Sequence, residues 1–299
     1  MTNALKVLFV LANEHVLRPF DLKVVRRSGA SAYEHARVEG PGAKRVVFFH
    51  VPKCGGTSIR EFLAATFGRP IRLDTVASEG VARNFGVTEL EVGEVLLAYF
   101  VQGCPKYIGG HYPYSRRVFA GHEGDFEFIT VLRNPLDRML SLYYFNRFRK
   151  DRDYFSVECE LSEWLASREA RRAGTVFVRT FMGDLNLARR IPEAYGDARV
   201  MDAAIDEAIS NLQNFAIVGT LEDIGGFENA MRQRYGARSS IGHLRQNPIS
   251  RYPKFDEQPK ELQEQIREMC QPDMTVYKSF SQRAAIERRD SKAPCAQFG

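Results

Sequence analysis

Short apolar runs, loops and amphipathic segments follow one another along the chain. Residues 45–51 form a nearly unbroken run of β-branched and aromatic side chains, which is typical of a buried parallel strand. A glycine-containing loop follows, and then a pattern with helical spacing begins. Its members are Ile59, Phe62, Leu63, Thr66 and Phe67. This spacing predicts an amphipathic helix that ends near Gly68.

The same order of elements occurs twice more. Residues 126–132 predict a second strand, residues 133–135 a turn, and the residues after them a helix. The predicted inner face of that helix consists of Leu136, Met139, Leu140, Tyr143 and Tyr144. Residues 215–220 predict a third strand, which a helix ending at Gly236 follows. Strands that alternate with helices predict an α/β fold, in which helices cover both faces of a parallel sheet.

Other segments predict helices between these units. Thr88 and Glu91 form a capping box, which marks the start of a helix. Further helices are expected over residues 162–173, 202–212 and 259–270. A Gly-Pro-Gly sequence at residues 40–42 interrupts any regular element. We therefore expect an N-terminal appendage over residues 1–43, one domain over residues 44–282, and a polar C-terminal tail over residues 283–299.

Composition narrows the class of protein. The chain has 299 residues, of which 44% are hydrophobic and 26% charged, so disorder, collagen and coiled coil are excluded. The net charge of +5 is too small for a histone-like partner but suits a compact anionic ligand. We expect no nucleic-acid partner.

The chain lacks sequence signals for export or membrane insertion. No stretch approaches the roughly 20 apolar residues that a membrane span needs, and no signal peptide is indicated. The 5 cysteines form no CxxC pair, so neither a zinc site nor a disulfide framework is predicted. We expect a soluble, cytoplasmic protein.

The loop between the first strand and the first helix combines groups that suit an anion. It contains Lys53, Cys54, Gly55, Gly56, Thr57 and Ser58. A helix N-terminus offers unpaired N–H groups and the positive end of its dipole. The two glycines let the backbone approach a ligand closely, while the hydroxyls can donate hydrogen bonds and the lysine adds a positive charge. The loop is therefore predicted to bind a phosphate group.

This loop differs from that of nucleotide-triphosphate enzymes. In their pattern, G-x-x-x-x-G-K-[ST], the lysine follows the second glycine and precedes a magnesium-binding hydroxyl. Here Lys53 precedes both glycines. A nucleotide-dependent kinase on the same core is disfavoured but remains an alternative.

A second group of polar residues follows the second predicted strand. Arg133 lies at the end of the strand, and Ser141 lies two turns into the helix after it. Both could bind one further phosphate, the arginine through paired charge-assisted hydrogen bonds. For Asp137 and Arg138 we expect a structural ion pair.

These two elements resemble the 5′-phosphosulfate and 3′-phosphate motifs of the sulfotransferases. The motifs are PKCGGTS at 52–58 and RNPLDRMLSLYYF at 133–145. The similarity is to the membrane-family branch that includes heparan sulfate 2-O-sulfotransferase and bacterial carbohydrate sulfotransferases. It extends to FAIVGTLEDIGGFENAM at 215–231, SIGHLRQN at 240–247 and DMTVYKSF at 273–280, and covers about residues 44–282. The chain departs from that branch in Cys54, in the absent N-terminal membrane anchor, and in residues 1–43, which have no counterpart.

The resemblance implies a P-loop-like sulfotransferase fold and 3′-phosphoadenosine 5′-phosphosulfate (PAPS) as the donor. PAPS would leave as 3′,5′-adenosine bisphosphate (PAP), and no metal is expected. Lys53 would stabilise the oxygen that bridges phosphate and sulfate, and the loop from Cys54 to Ser58 would bind the 5′-phosphate. Arg133 and Ser141 would bind the 3′-phosphate. Arg245, positioned by His243, would close over the nucleotide.

The resemblance also indicates a base. His111 follows two glycines in a segment similar to the Gly-His segment that carries the base in this branch. The branch often has a further histidine two residues earlier, where this chain has Gly109, so a single-histidine mechanism is implied. For His50, which precedes the phosphate loop, we expect a buried, orienting role.

The acceptor is expected to be a hydroxyl-bearing saccharide or glycoconjugate. Basic residues could attract an anionic glycan: Arg116, Arg117, Arg147, Arg149, Lys150 and Arg152. A non-catalytic module that binds a nucleotide or a carbohydrate is the second alternative. The joint presence of Lys53, His111, Arg133 and Ser141 speaks against it. The oligomeric state is left open.

Overall fold

A computed structural model describes most of the predicted domain. The described residues are 45–68, 82, 84–103, 105–120, 122, 124–148, 156–242 and 252–291, with side chains described up to residue 281. The predicted appendage, residues 1–43, lies outside this set, as do His243 and Arg245.

Four parallel strands form the sheet, in the order β2-β1-β3-β4. The strands are β1 (Arg45–Phe49), β2 (Tyr107–Gly110), β3 (Phe126–Leu132) and β4 (Ile217–Thr220). All three strands predicted from the apolar runs are confirmed, and β3 has the predicted bounds. β1 ends at Phe49 because Val51 already belongs to the loop, where its carbonyl accepts a hydrogen bond from the Cys54 N–H.

Twelve helices surround the sheet in the described part of the chain. Before β4 they are α1 (Gly56–Phe67), α2 (Glu89–Gln102), α3 (Arg116–Phe119), α4 (Pro135–Phe148), α5 (Leu161–Leu165), α6 (Arg168–Gly174), α7 (Val176–Phe181), α8 (Leu185–Ala188) and α9 (Ala198–Gln213). After β4 they are α10 (Ile224–Tyr235), α11 (Lys260–Met269) and α12 (Gln271–Ser291). Single 3₁₀ turns precede α10 and α11, at Leu221–Asp223 and Phe255–Glu257.

Local sequence explains most helix boundaries. The predicted capping box begins α2, since the Thr88 hydroxyl accepts from the Glu91 N–H while the Glu91 carboxylate accepts from the Thr88 N–H. The single helix expected over residues 162–173 is instead two helices, α5 and α6. They are separate because the Ser167 hydroxyl accepts from the Ala170 N–H and so starts a new helix. The last helix, α12, continues past residue 282, where the domain was expected to end.

Both faces of the sheet are covered, as the alternation along β1 shows. Val47 and Phe49 belong to one apolar core, which includes residues of α2, α7, α9 and α12. Val46 and Phe48 point to the other face and join a core with α1 and α10. A third cluster lies between α4, α5, α6 and α11. This α/β arrangement brings the carboxyl ends of all four strands to one edge, where parallel sheets place their ligand sites.

The described residues contain neither a membrane-spanning helix nor a group of metal ligands. None of the described helices is long and apolar enough to cross a membrane. Within the same residues no three His, Cys, Asp or Glu side chains are grouped so that they could hold a metal ion. Cys54, Cys159 and Cys270 are free thiols.

Candidate functional site

The residues that follow the four strands meet at the carboxyl edge of the sheet. His50 follows β1, His111 follows β2, Arg133 follows β3, and a turn that contains Glu222 follows β4. Because the strands are parallel and adjacent, these residues lie at the edge where open α/β sheets form their ligand crevice. Lys53 and Ser141, predicted from the same motifs, lie on the loop after β1 and on α4.

The backbone of the loop after β1 adopts an uncommon conformation. Gly55 has a φ of 73° and Lys53 a φ of 69°, both in the left-handed region. Among the described residues Lys53 is the one non-glycine residue with a positive φ. Such a conformation costs a side-chain-bearing residue on the order of 1 kcal/mol and is found mainly at functional sites. The positive φ of Lys53 makes this loop a candidate functional segment.

The N-terminus of α1 is open to an anion. Gly55 provides no side-chain cap, and the first turn contains no acidic residue. The N–H groups of Gly56 and Thr57 belong to the first turn, where the helix offers them no acceptor. The helix dipole adds a partial positive charge at the same place. An anionic group of a ligand would accept hydrogen bonds from these N–H groups and would be stabilised by the helix dipole.

Lys53 and Arg133 lie next to each other at the loop. The Arg133 Nη1 donates to the Lys53 carbonyl at 3.1 Å. The Lys53 Nζ lies 3.8 Å from the centre of the Phe145 ring. Burial, together with repulsion from Arg133, lowers the pKa of Lys53 to about 8. Two cations held together in this way are stabilised by an anion placed between them.

Ser141 belongs to the same cluster through its position on α4. It is buried, and it precedes Phe145 by one helical turn, so the two side chains share a face of the helix. The Lys53 ammonium, which lies on the Phe145 ring, is therefore on the Ser141 side of α4. The structure thus joins Lys53 to Arg133 directly, while Ser141 is linked to them only through its place one turn before Phe145.

Cys54 does not fit the donor-binding role expected for it. Its side chain is buried in the core, and burial raises the pKa of the thiol to about 12, so it stays neutral. Its backbone N–H donates to the Val51 carbonyl at 3.3 Å and closes the turn of the loop. Cys54 therefore stabilises the conformation of the loop, and Gly55 is the first residue of the loop whose N–H group is available to a ligand.

His50 and His111 form a stacked pair at the ends of β1 and β2. Their ring centres are 4.2 Å apart, with the planes tilted by 32°. The Phe48 ring lies 5.7 Å from that of His50. The His50 Nε2 is buried and has no hydrogen-bond partner. Burial, His111 and Arg60 lower the pKa of His50 well below its usual range, so His50 is neutral near pH 7.

Gly56 is needed for a reason that the motif did not reveal. A Cβ at this position would overlap the His50 ring. The absence of a side chain at Gly56 lets the imidazole lie directly on α1, beside the first-turn amides. The second glycine of the motif therefore joins the phosphate loop to the histidine pair.

Glu222 is a site residue that sequence reasoning missed. Its Oε1 accepts from the Asn134 N–H at 2.8 Å, and its Oε2 accepts from the Tyr277 hydroxyl at 3.0 Å. It thereby ties the turn after β4 to the start of α4 and to α12. Its place directly after the β4 strand was the available signal, because residues at that edge of a parallel sheet lie close together.

Arg138 is buried, but the ion pair expected with Asp137 is not formed. Its guanidinium donates to the Ala173 carbonyl and lies 5.7 Å from the Phe177 ring centre. The prediction was wrong because neighbouring residues of a helix point in different directions. Arg138 packs α4 against α6 and α7.

Several of the basic residues expected to attract a glycan are paired with carboxylates. Arg147 bonds to Glu160 at 2.7 Å, Arg116 lies 2.6 Å from Glu207, and Arg117 pairs with Glu94. Arg117 is committed to the buried Glu94 carboxylate, whereas the Arg147–Glu160 pair has an exposed carboxylate and leaves the expectation of a glycan untested. Residues 149–152 lie outside the described residues.

Comparison with protein-family models and with curated protein sequences gave no match. The likeness to sulfotransferases therefore rests on the motifs alone.

Proposed function

We propose that the protein transfers a sulfuryl group from PAPS to a hydroxyl group of an acceptor, and that its sheet and helices are those of the sulfotransferase fold. The observation that carries this proposal is the joining of Lys53 to Arg133 beside the open N-terminus of α1. A single loop cation would suit many phosphate ligands. Two cations on adjacent elements, with a buried serine beside them, suit a ligand that carries two separate anionic groups.

Two separate groups of residues could each bind one of the two phosphates of such a donor. The amides of Gly55, Gly56 and Thr57 would bind the 5′-phosphate at the helix N-terminus. Arg133 and Ser141 would bind the 3′-phosphate, which distinguishes this nucleotide from ATP. Lys53, which has a left-handed backbone conformation within the loop, would lie where negative charge builds on the leaving oxygen.

Sulfuryl transfer needs orientation, charge stabilisation and a base. PAPS supplies the activated sulfuryl group: its sulfur gains a bond to the acceptor oxygen and loses the bond to the phosphate oxygen, which leaves with PAP. Lys53 stabilises the charge on that departing oxygen. His111 accepts the proton of the acceptor hydroxyl. His50, held on α1 and stacked on His111, keeps the base in place.

A kinase is the first competing function. The phosphate loop of ATP-dependent enzymes carries its lysine after the second glycine. In this structure the lysine lies two residues before Gly55 and adopts the left-handed conformation that turns the loop. This placement favours a phosphosulfate donor over a triphosphate.

A binding module without catalysis is the second competing function. The stacked histidines argue against it, because binding alone gives no reason to keep two imidazoles in contact at the crevice. As acceptor we propose a carbohydrate, on the strength of the similarity to carbohydrate sulfotransferases.

A transfer assay tests the proposal. The protein is incubated with sulfur-labelled PAPS and a panel of neutral and uronate-containing oligosaccharides. Labelled oligosaccharide and PAP should form in equal amounts, and Lys53→Ala should lower turnover by roughly 10²–10³-fold. Phosphate transfer from ATP with magnesium to the same panel would support the kinase. PAP binding without transfer to any member of the panel would support the binding module.

A further inference from the structure

A second cationic site lies outside the phosphate loop. A cavity of about 220 Å³ opens beside the N-terminus of α2, between α6, α7 and α8. Four arginines line it: Arg168, Arg172, Arg179 and Arg189. None of its lining residues belongs to the phosphate loop, to β3 or to α4.

The described side chains that line this cavity include more positive than negative charges. Glu89 is the one carboxylate among the described lining residues. It bonds to Arg172 and lies 4.0 Å from the Arg179 Nη2, so a single negative charge is shared between two guanidinium groups. Among the described lining residues, four arginines therefore face one carboxylate.

Arg179 is the most buried of the four arginines, and besides Glu89 the buried Asp273 carboxylate also acts on its charge. Its side chain is 9% exposed. Its Nε donates to the Ala188 carbonyl at 3.3 Å and its Nη1 to the Arg172 carbonyl at 3.4 Å, both long contacts with neutral acceptors. A buried charge usually has a close counter-charge, because the removal of an ion from water is otherwise unfavourable.

The remaining two arginines reach the cavity from the surface. Arg168 pairs with Glu193, and both side chains are about half exposed. Arg189 lies 3.4 Å from Glu91. Exposed pairs of this kind contribute little and rearrange easily. Both arginines can turn toward an anion in the cavity without leaving a buried carboxylate unpaired.

The cavity lies at the same side of the molecule as His111. The helix α2 precedes β2 and runs back to it, so the start of α2 lies at the carboxyl edge of the sheet. The segment after His111 contacts the cavity's own elements, since the Tyr114 N–H donates to the Thr180 carbonyl at 2.7 Å. Ser115, in turn, donates to Glu94 of α2.

We infer that this cavity binds the acidic group of a small ligand, a carboxylate, sulfate or phosphate, at a site separate from the nucleotide site. The guanidinium groups provide paired donors of the geometry that such oxyanions accept. The inference does not rest on sulfuryl transfer, because the cavity and the phosphate loop share no residue. The acidic group can belong to a free inorganic anion or to an acidic sugar.

Titration with two probes tests the inference. Sodium sulfate and sodium glucuronate are titrated into the full chain at constant ionic strength, against sodium chloride, and the melting temperature is recorded. Wild type should show saturable stabilisation by at least one probe. Sulfate alone would indicate an inorganic anion as the ligand, and glucuronate an acidic sugar. No saturable stabilisation by either would overturn the inference.

Three variants locate the binding. Arg189→Gln should weaken the affinity of the stabilising probe about ten-fold or more, as expected for a lost charge-assisted hydrogen bond. Arg171→Gln, on the same helix as Arg172 but outside the lining, is the matched control and should change nothing. Glu89→Gln should tighten binding, since it removes the competing carboxylate. A purely structural ion-pair network predicts no such gain, so unchanged or weaker binding in Glu89→Gln would contradict the inference.

The phosphate loop provides the remaining control. Lys53→Ala removes its cation and should leave the affinity of the cavity for the probe as in wild type. Loss of probe binding in Lys53→Ala, with no effect of Arg189→Gln, would assign the anion to the loop and overturn the inference. The probe-binding results of these variants can therefore be interpreted whether or not the protein transfers sulfate.

Discussion

The rings of His50 and His111 stack with their centres 4.2 Å apart, although the two residues follow different strands and are far apart in the sequence. Two protonated imidazoles at this distance would repel each other strongly. The half-buried His50 lies against α1 with its Nε2 buried, and it stays neutral because desolvation and the nearby His111 and Arg60 hold its pKa low. The two rings therefore differ in environment, and the proposed function gives the role of base to His111.

His111→Ala should abolish most turnover and spare nucleotide binding. General base catalysis contributes about 10²–10⁴-fold, so kcat should fall by that factor while the affinity for PAP stays within a few-fold. The wild-type rate should fall as the pH drops and the imidazole becomes protonated, because a protonated ring cannot accept a proton. Steady-state kinetics across pH and PAP titrations make the comparison. A variant that keeps near-normal turnover, or one that no longer binds PAP, would refute the assignment.

His50→Phe should show that His50 acts through His111. Phenylalanine keeps a ring on α1 but has no nitrogen, so kcat should fall by a smaller factor than in His111→Ala, with the KM for the donor little changed. The double variant should be about as slow as His111→Ala alone, because coupled residues are not additive. If the two losses multiply, His50 has a role of its own and the positioning account is wrong.

Lys53 should take up a proton when PAP binds in alkaline solution. Its pKa is lowered to about 8 in the free protein. A bound phosphate raises that pKa, so above pH 8 binding adds a proton to the lysine, and the affinity for PAP falls as the pH rises. Calorimetry at about pH 8.5, in two buffers with different ionisation enthalpies, measures the uptake.

Lys53→Arg is the control for that experiment, because a guanidinium stays charged throughout this range. Proton uptake should vanish in this variant. Equal binding heats in both buffers for the wild type would show that Lys53 does not face the nucleotide.

Arg133→Ala and Ser141→Ala should weaken PAP more than 5′-AMP, which lacks the 3′-phosphate. A hydrogen bond to a charged group contributes about 1.5–3 kcal/mol, so loss of Arg133 should lower PAP affinity roughly ten- to a hundred-fold. Asn146→Ala, on the same helix as Ser141, is a suitable control. If both nucleotides weaken equally, the 3′-phosphate role is wrong.

Much of the architecture follows from local pattern. The apolar runs and helical spacing predict β1, β3, β4, α1 and α4, because burial on a sheet or a helix face imposes a period on the sequence. The glycines, the lysine and the strand-to-helix order also place the phosphate loop. These are features that a few consecutive residues determine.

The parts that pattern missed depend on contacts between distant segments. Nothing near His50 in the sequence shows that its ring will stack on His111 or that Gly56 makes room for it. Glu222 acquires its role only when β4 lies beside β3. The arginine cavity likewise gathers residues from α2, α6, α7 and α8. Tertiary packing, which single-sequence periodicity does not encode, creates each of them.

The relative affinity of the free protein for PAP, 5′-AMP and ATP with magnesium tests the central claim most directly. We propose that one crevice binds a 5′-phosphate at α1 and a 3′-phosphate at Arg133 and Ser141. Calorimetry should therefore give an affinity for PAP that is roughly ten- to a hundred-fold higher than that for 5′-AMP, as expected for one charge-assisted hydrogen bond. The affinity for ATP with magnesium should be lower than that for PAP. Equal affinity for PAP and 5′-AMP, or a preference for ATP-magnesium, would contradict the account.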